Sequence, residues 1–202
     1  MKSRKLTLVT IVFFVTLATP LFLTAQTTRY AVTDLGTLGG TFSLALGIND
    51  TGWVVGVSSL PDDTAFHAFL WKKDLLVDLG TLGGPNSVAG HPLNERGQIG
   101  GVAETSTPDP LGEDFCAYFD VNHLVCLPFV WQNGVARVLP TLGGSNGQAH
   151  QINNRGQVVG LAENSTLDPT CPPPGPPFFE LLEFKPVLWE KDEIHELPHL
   201  RR

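Results

Sequence analysis

The chain has 202 residues, with 20 acidic and 13 basic side chains and a formal net charge of −7 at pH 7. An acidic chain has no general electrostatic attraction for nucleic acid or anionic lipid, so we expect neither as a partner. Glycine and proline are plentiful and helix signals are weak, which predicts an all-β protein.

Residues 1–25 have the order of a secretory signal peptide. Lys2, Arg4 and Lys5 precede an uncharged apolar run over 6–23, and Ala25 ends a segment of small residues. We expect cleavage after Ala25 and a secreted, extracellular or cell-surface protein, with the periplasm as an alternative location. The other interpretation is an uncleaved membrane anchor, because the run approaches the ~20 residues that span a bilayer.

Residues 30–35 alternate between apolar and polar side chains, which predicts a strand at the amino terminus with no partner before it. The segment LGTLGG at 35–40 then returns as LGTLGG at 79–84 and as LPTLGG at 139–144. Each copy is followed by a strand of small residues, an Asn-x-x-Gly turn, a Val/Gly-rich strand and a strand that ends in Trp. The chain is therefore a repeat protein over residues 30–202.

Four short strands per repeat predict the blades of a β-propeller, at 43–79, 87–139 and 147–197. In this interpretation the first strand of each blade lies innermost and LGTLGG is the crossover to the next blade. A β-solenoid or a β-sandwich is the alternative. Propellers usually have about four blades or more, so three predict an open or truncated propeller that associates with itself through its uncovered ends.

Two insertions lengthen the second and third repeats, at about 104–125 and 163–183. Both fall between the second and third strands and begin alike, with AETSTPDP and AENSTLDP. In an up-and-down blade these loops emerge at the same end, so one face carries all the elaboration. Such loops on a rigid scaffold are where binding usually occurs, although the sequence identifies no individual binding residue.

The combination of LGTLGG, S-x-A-x-x-I-N, G-x-V-V-G and the strand His67-Ala68-Phe69 resembles the HAF-repeat family of bacterial secreted proteins. The resemblance covers nearly everything after residue 30, while the His-Ala-Phe signature itself occurs only in the first repeat. It implies an extracellular or cell-surface repeat protein. It implies no catalytic residues.

Three cysteines occur in a chain that we expect in an oxidising compartment. Cys116 and Cys126 are separated by nine residues, a spacing that suits a loop-closing disulfide better than a zinc site. Cys171 lies in the corresponding insertion of the next repeat, so it is the rival partner for either of them.

Few side chains have the pattern of a metal site. We expect His67 to be structural, because it has no second ligand at a recognisable spacing. An acidic cluster in the first insertion lacks the regular spacing of a calcium loop, so we expect a solvated loop there. Its members are Asp109, Glu113, Asp114 and Asp120, with His123 nearby. We predict neither a metal ion nor a cofactor.

Three function classes follow from this architecture. The first is a non-catalytic scaffold that binds an extracellular protein or glycan through the loop face, and the second is a purely structural surface protein. The third, a glycan-active enzyme, needs acids that point into the central channel. The inner-strand residues expected there are small and include no carboxylate: Ser43, Ala45, Gly47, Ser87, Ala89, Gly147 and Ala149. We therefore favour a binding protein over an enzyme.

Overall fold

Twelve β-strands in three antiparallel sheets of four strands each make up the folded part of the chain that the structure describes. The computed structural model describes residues 29–91, 93–116, 121–170, 181–191 and 193–198. Sheet 1 contains β1 (Ser43–Ile48), β2 (Val54–Ser59), β3 (Phe66–Lys72) and β4 (Leu75–Asp78). Sheet 2 contains β5 (Gly83–Ala89), β6 (Ile99–Pro108), β7 (Leu124–Gln132) and β8 (Val135–Val138). Sheet 3 contains β9 (Gly143–Ile152), β10 (Val158–Leu167), β11 (Leu182–Glu190) and β12 (Glu193–Glu196).

Within each sheet the strands pair antiparallel and in chain order. Helical structure in the described residues is limited to one 3₁₀ turn at Pro61–Asp63. The prediction of an all-β chain with four-stranded antiparallel units is therefore confirmed. The predicted signal peptide lies outside the described residues.

The predicted amino-terminal strand at residues 30–35 is wrong, because the structure has no strand between residues 29 and 42. Tyr30 and Val32 are almost fully exposed. Alternation alone does not make a strand where no neighbouring strand supplies the hydrogen bonds.

Both glycines of the Gly-Gly pair belong to the first strand of sheets 2 and 3 and not to the crossover. Gly83 has φ of +111°, a conformation that favours glycine. A Cβ on Gly84 would lie 2.5 Å from the Cβ of Glu104 on β6. The repeated glycine pair thus turns the chain and lets β5 approach β6 closely.

The Asn-x-x-Gly segments form the predicted turns between the first and second strands. The amide of Gly52 donates to the carbonyl of Asn49 at 3.0 Å, and Gly97 donates to Asn94 at 3.1 Å. The Asn49 side chain also accepts the amide of Trp53 at 2.9 Å. One asparagine therefore closes the turn and starts the next strand.

Consecutive sheets pack face to face through apolar cores. The first core joins Val55 and Leu70 of sheet 1 to Phe129 of sheet 2. The second joins Val130 of sheet 2 to Trp189 of sheet 3. Burying a side chain of this size stabilises the fold by roughly 1.5–3 kcal/mol, so each sheet depends on its neighbour.

The small residues in the first strands of sheets 2 and 3 lie between sheets, so the expectation that they face a central channel is wrong for these two strands. In sheet 1 the equivalent residues Ser43 and Ala45 are exposed. The hydroxyl of Ser87 accepts the amide of Ala68 in sheet 1 at 2.9 Å. A Cβ on Gly147 would lie 3.2 Å from Cδ of Pro128 in sheet 2. Small side chains occur here because the preceding sheet packs directly against this side of the strand.

Candidate functional site

The insertion between β6 and β7 folds back onto sheet 2. A disulfide joins Cys116 to Cys126, with the Cα atoms 6.0 Å apart. Both cysteines are buried and pack against Val102 of β6. The bond therefore fixes the insertion to the first residues of β7. Cys171 lies outside the described residues.

The same insertion is closed internally by backbone contacts. The Asp109 carboxylate accepts the amides of Leu111 at 2.8 Å and Glu113 at 3.0 Å. The ring of His123 hydrogen-bonds the carbonyl of Gly112 at 2.8 Å through Nδ1. Asp109 is buried, so this loop is not the solvated acidic loop that we expected.

The insertion of sheet 2 also clamps sheet 3. Glu113 accepts the amides of Leu181 and Leu182, the second at 3.1 Å. The ring of Phe115 stacks on Phe184 of β11, with centroids 4.8 Å apart and planes 22° from parallel. A loop that belongs to one sheet is therefore held in place by the next.

Two buried glutamates, which the sequence analysis did not single out, hold the first strands of sheets 2 and 3. Glu104 accepts the amide of Asn86 at 3.0 Å, and Glu163 accepts the amide of Asn146 at 2.7 Å. Both glutamates are completely buried. The recurring Ala-Glu that opens each insertion is the sequence signal that could have revealed them.

The paired asparagines bridge neighbouring sheets. Asn86 accepts the amide of Phe66 in sheet 1 at 3.0 Å, and Asn146 accepts the amide of Cys126 in sheet 2 at 2.9 Å. The side-chain nitrogen of Asn146 donates to Asp109 at 3.1 Å. Each asparagine thus satisfies a strand amide of the preceding sheet as well as its own glutamate.

Sheet 1 achieves the same strand anchoring with different residues. Ser59 replaces the glutamate, and its hydroxyl accepts the amide of Phe42 at 3.0 Å. Asp63 supplies the carboxylate, accepting the Ser59 hydroxyl at 2.6 Å and the amide of Thr41 at 2.8 Å. The carboxylate is therefore a structural element of all three repeats.

Burial and mutual repulsion perturb these acids. Burial, together with the charges of Glu113 and Asp109, raises the pKa of Glu163 from 4.5 to about 7, although hydrogen bonds from Asn146 oppose the shift. Burial also raises the pKa of three further carboxyl groups, those of Glu104, Glu113 and Asp114. A perturbed pKa in a closed, hydrogen-bonded site indicates a structural role as readily as a catalytic one.

Described members of the acidic cluster are engaged in separate hydrogen bonds of the fold. Asp109 and Glu113 accept backbone amides from different segments, and His123 contacts a backbone carbonyl. Within the described ranges, no group of three or more His, Cys, Asp or Glu side chains is arranged to hold a metal ion. Asp120 lies outside those ranges.

His67 connects two strands of sheet 1. Its Nδ1 lies 2.9 Å from the carboxylate of Asp78 on β4. Partial burial acts to raise the pKa of Asp78, but hydrogen bonds from His67 and the amide of Gly80 hold that pKa below its ordinary value. His67 thus links β3 to β4, the outermost strand of sheet 1.

A groove of about 330 Å³ runs between the first strands of the three sheets. Leu44, Val88, Gln148, His91 and His150 are among its lining residues. Burial lowers the pKa of His150, and the nearby charge of His91 lowers it further. The described residues that line the groove include no carboxylate.

Comparisons of the chain with protein-family models, with curated proteins and with solved structures found no match. In the part of the chain that the structure describes, no helix has the length and apolar character needed to cross a bilayer.

Proposed function

We propose that this chain is a secreted or cell-surface protein of the HAF-repeat type that binds an extracellular protein or glycan without catalysis. In this proposal the three sheets are the blades of an open β-propeller. The binding surface is the loop face, defined as the insertions that follow β6 and β10.

The observation that carries the proposal is the fixed position of residues 109–116, the described first part of the first insertion. The Cys116–Cys126 disulfide ties it to sheet 2, while Glu113 and Phe115 tie it to sheet 3. A binding loop that is already ordered loses little conformational entropy when a partner docks. This ordering supports a recognition role for the loop face.

The exposed side chains of the loop face fit a protein or glycan partner. Leu111 and Val121 of the first insertion are exposed, as is Leu167 at the end of β10. Apolar side chains held at the surface by a rigid loop provide contact area for a sugar face or an apolar protein patch.

The alternatives are a purely structural surface protein and a glycan-active enzyme. The enzyme is the less favoured because Glu104 and Glu163 are sealed in the fold and hydrogen-bonded to strand amides. A reducing-sugar assay on polysaccharides tests the enzyme directly.

A printed glycan array, probed with the purified protein, tests the binding proposal. The double variant Leu111→Ser/Val121→Ser should lose at least about tenfold in signal, as expected when interface anchors are removed. Val135→Ser is the matched control, because Val135 is exposed at the opposite end of sheet 2. Binding that survives the double variant would contradict the loop face as the site.

A further inference from the structure

The two junctions between sheets are the same interface used twice. In the first, β5 covers β2 and β3, and in the second, β9 covers β6 and β7. An asparagine accepts a strand amide across each, from Phe66 to Asn86 and from Cys126 to Asn146. At both junctions, therefore, the surface of one sheet is covered by the first strand of the next sheet in the chain.

The turns add a hydrogen-bond ladder to each junction. The amide of Asp50 donates to the Glu95 side chain at 2.9 Å, and the amide of Glu95 donates to the Asn154 side chain at 2.9 Å. The side-chain nitrogen of Asn94 donates to the carbonyl of Asn153 at 2.9 Å. Each turn thus donates to the next turn along the chain.

In sheets 2 and 3 the side of the first strand packs on the preceding sheet. The equivalent side of sheet 1 is exposed. We call it the leading face and define it by Ala45, Ile48 and Trp71. Ile48 is 63% exposed, whereas its counterparts in sheets 2 and 3, Leu93 and Ile152, are 3% and 5% exposed. Ala45 is exposed and Trp71 half-buried, while the equivalent alanines and tryptophans are buried.

In sheets 1 and 2 the second and third strands are covered by the first strand of the next sheet. The equivalent surface of sheet 3 is exposed. We call it the trailing face and define it by Val159, Leu161, Pro186 and Leu188. Val159 is 38% exposed, whereas Val55 at the same position in sheet 1 is fully buried. Pro186 is exposed and Leu188 half-buried, although their counterparts in the first two sheets are buried.

We propose that the leading face of one copy of this chain packs on the trailing face of a second copy. Because each copy carries both faces, two copies can form two such junctions and close a ring of six sheets. Propellers commonly contain about four to eight blades, so six lies within the observed range. A head-to-tail contact whose rotation closes gives a finite assembly and not a fibre.

The polar groups at the junction are complementary. Within one chain the amide of Asp50 donates to the Glu95 side chain, and the amide of Glu95 donates to the Asn154 side chain. If the same pattern continues into the second copy, the amide of Asn154 donates to the carboxylate of its Asp50. Asn153 donates one side-chain hydrogen to Gln157 at 2.7 Å. The other hydrogen remains available for the carbonyl of Asn49 in the second copy.

The aromatic residues at the junction are also complementary. Phe42 occupies the repeat position of the bridging asparagines, is 42% exposed and packs edge-on against Phe66 of its own sheet, with ring centroids 6.0 Å apart. Phe184 occupies the position of Phe66 and Cys126 and already stacks on Phe115. In the second-copy junction Phe42 therefore meets an aromatic pair, and an apolar contact replaces the asparagine hydrogen bond.

Light scattering of the protein purified from its full-length gene tests the proposal, with a mass of two copies as the expected result. Ala45→Arg on the leading face and Val159→Arg on the trailing face should each give the mass of a single copy. Both positions are exposed in the single chain, so the fold should survive, which near-UV circular dichroism checks. Val135→Arg, outside both faces, is the control that should keep the dimeric mass.

Mixing the Ala45→Arg and Val159→Arg variants gives the decisive experiment. A mixed pair retains one unaltered junction, between the leading face of the Val159→Arg copy and the trailing face of the Ala45→Arg copy. The mixture should therefore regain a dimeric mass that neither variant shows alone. A monomeric wild type, a dimer that survives either substitution, a mixture that stays monomeric or a ladder of larger assemblies would overturn the two-copy ring.

The loop-face variant Leu111→Ser/Val121→Ser should keep the dimeric mass. The assembly and the proposed binding function can therefore fail independently of each other.

Discussion

The backbone amide of Asn146 donates a 2.7 Å hydrogen bond to Glu163, and the side chain of Asn146 accepts the amide of Cys126 from the neighbouring sheet at 2.9 Å. The carboxylate and the sheet junction are therefore parts of one buried network. A change in the charge of Glu163 should therefore change the free energy of unfolding of the packed sheets.

The free energy of unfolding should fall as the pH rises from about 5 to about 8. Glu163 has a folded-state pKa of about 7 against an ordinary value of 4.5, so the folded chain holds the proton more tightly than the unfolded chain. The stabilisation is fully present below the unfolded pKa and is lost as the pH rises through the folded one, by roughly 3 kcal/mol at most. Urea unfolding at pH 5 and pH 8 measures the difference.

Glu163→Gln should reduce this pH dependence, because the amide cannot ionise while its oxygen still accepts the amide of Asn146. Glu193→Gln is the matched control, since Glu193 is exposed on β12. Stability that rises between pH 5 and pH 7 would contradict the assignment.

The protein should tolerate Pro128→Ala and Gly147→Ser when both substitutions are made, although each one alone should destabilise it. At the first junction Ser87 accepts the amide of Ala68, whereas Pro128 has no amide hydrogen and Gly147 has no hydroxyl. Gly147→Ser alone should crowd Pro128 and cost about 1–3 kcal/mol. Pro128→Ala alone should leave a buried amide without an acceptor, at a similar cost of about 1–3 kcal/mol.

The double variant Pro128→Ala/Gly147→Ser should be more stable than the sum of the single effects predicts. The new hydroxyl can accept the new amide, with a coupling energy of about 0.5–3 kcal/mol in a double-mutant cycle followed by urea unfolding. Additive effects would mean that the two residues do not meet across the sheets.

Reducing the Cys116–Cys126 disulfide should destabilise the first insertion before the sheets. Closing a loop of about ten residues contributes on the order of 2–3 kcal/mol. Hydrogen exchange with and without reductant should therefore show lost protection at Glu113, Leu181 and Leu182, with β2 unchanged. Peptide mapping without reductant checks the pairing itself, and a peptide that links Cys171 to either cysteine would contradict it.

The mature protein should begin at Gln26. The basic, apolar and small segments of residues 1–25 have the order of a cleaved leader. Mass spectrometry of the protein from its native host measures the amino terminus. A chain that starts at Met1 in a membrane fraction would instead indicate the anchor.

The sequence by itself determined the repeat, the strand types and the turns, because these depend on neighbours in the chain. The glycine pair and the turn from Asn49 to Gly52 are local signals that do not require a neighbouring strand. Alternating side chains identify a strand only where a neighbouring strand can pair with it. Residues 30–35 alternate in the same way but form no strand, because no adjacent strand pairs with them.

Only the tertiary structure decided which side of each first strand is covered and what the acidic residues do. Glu113 meets the amide of Leu182, 69 residues later in the chain, and no spacing rule relates the two. Whether Ser87 and Gly147 face a channel or a neighbouring sheet depends on how two sheets pack, which alternation within one strand cannot specify. The contrast between buried Val55 and exposed Val159 has the same cause, because their repeats have equivalent sequences and only the neighbouring sheet differs.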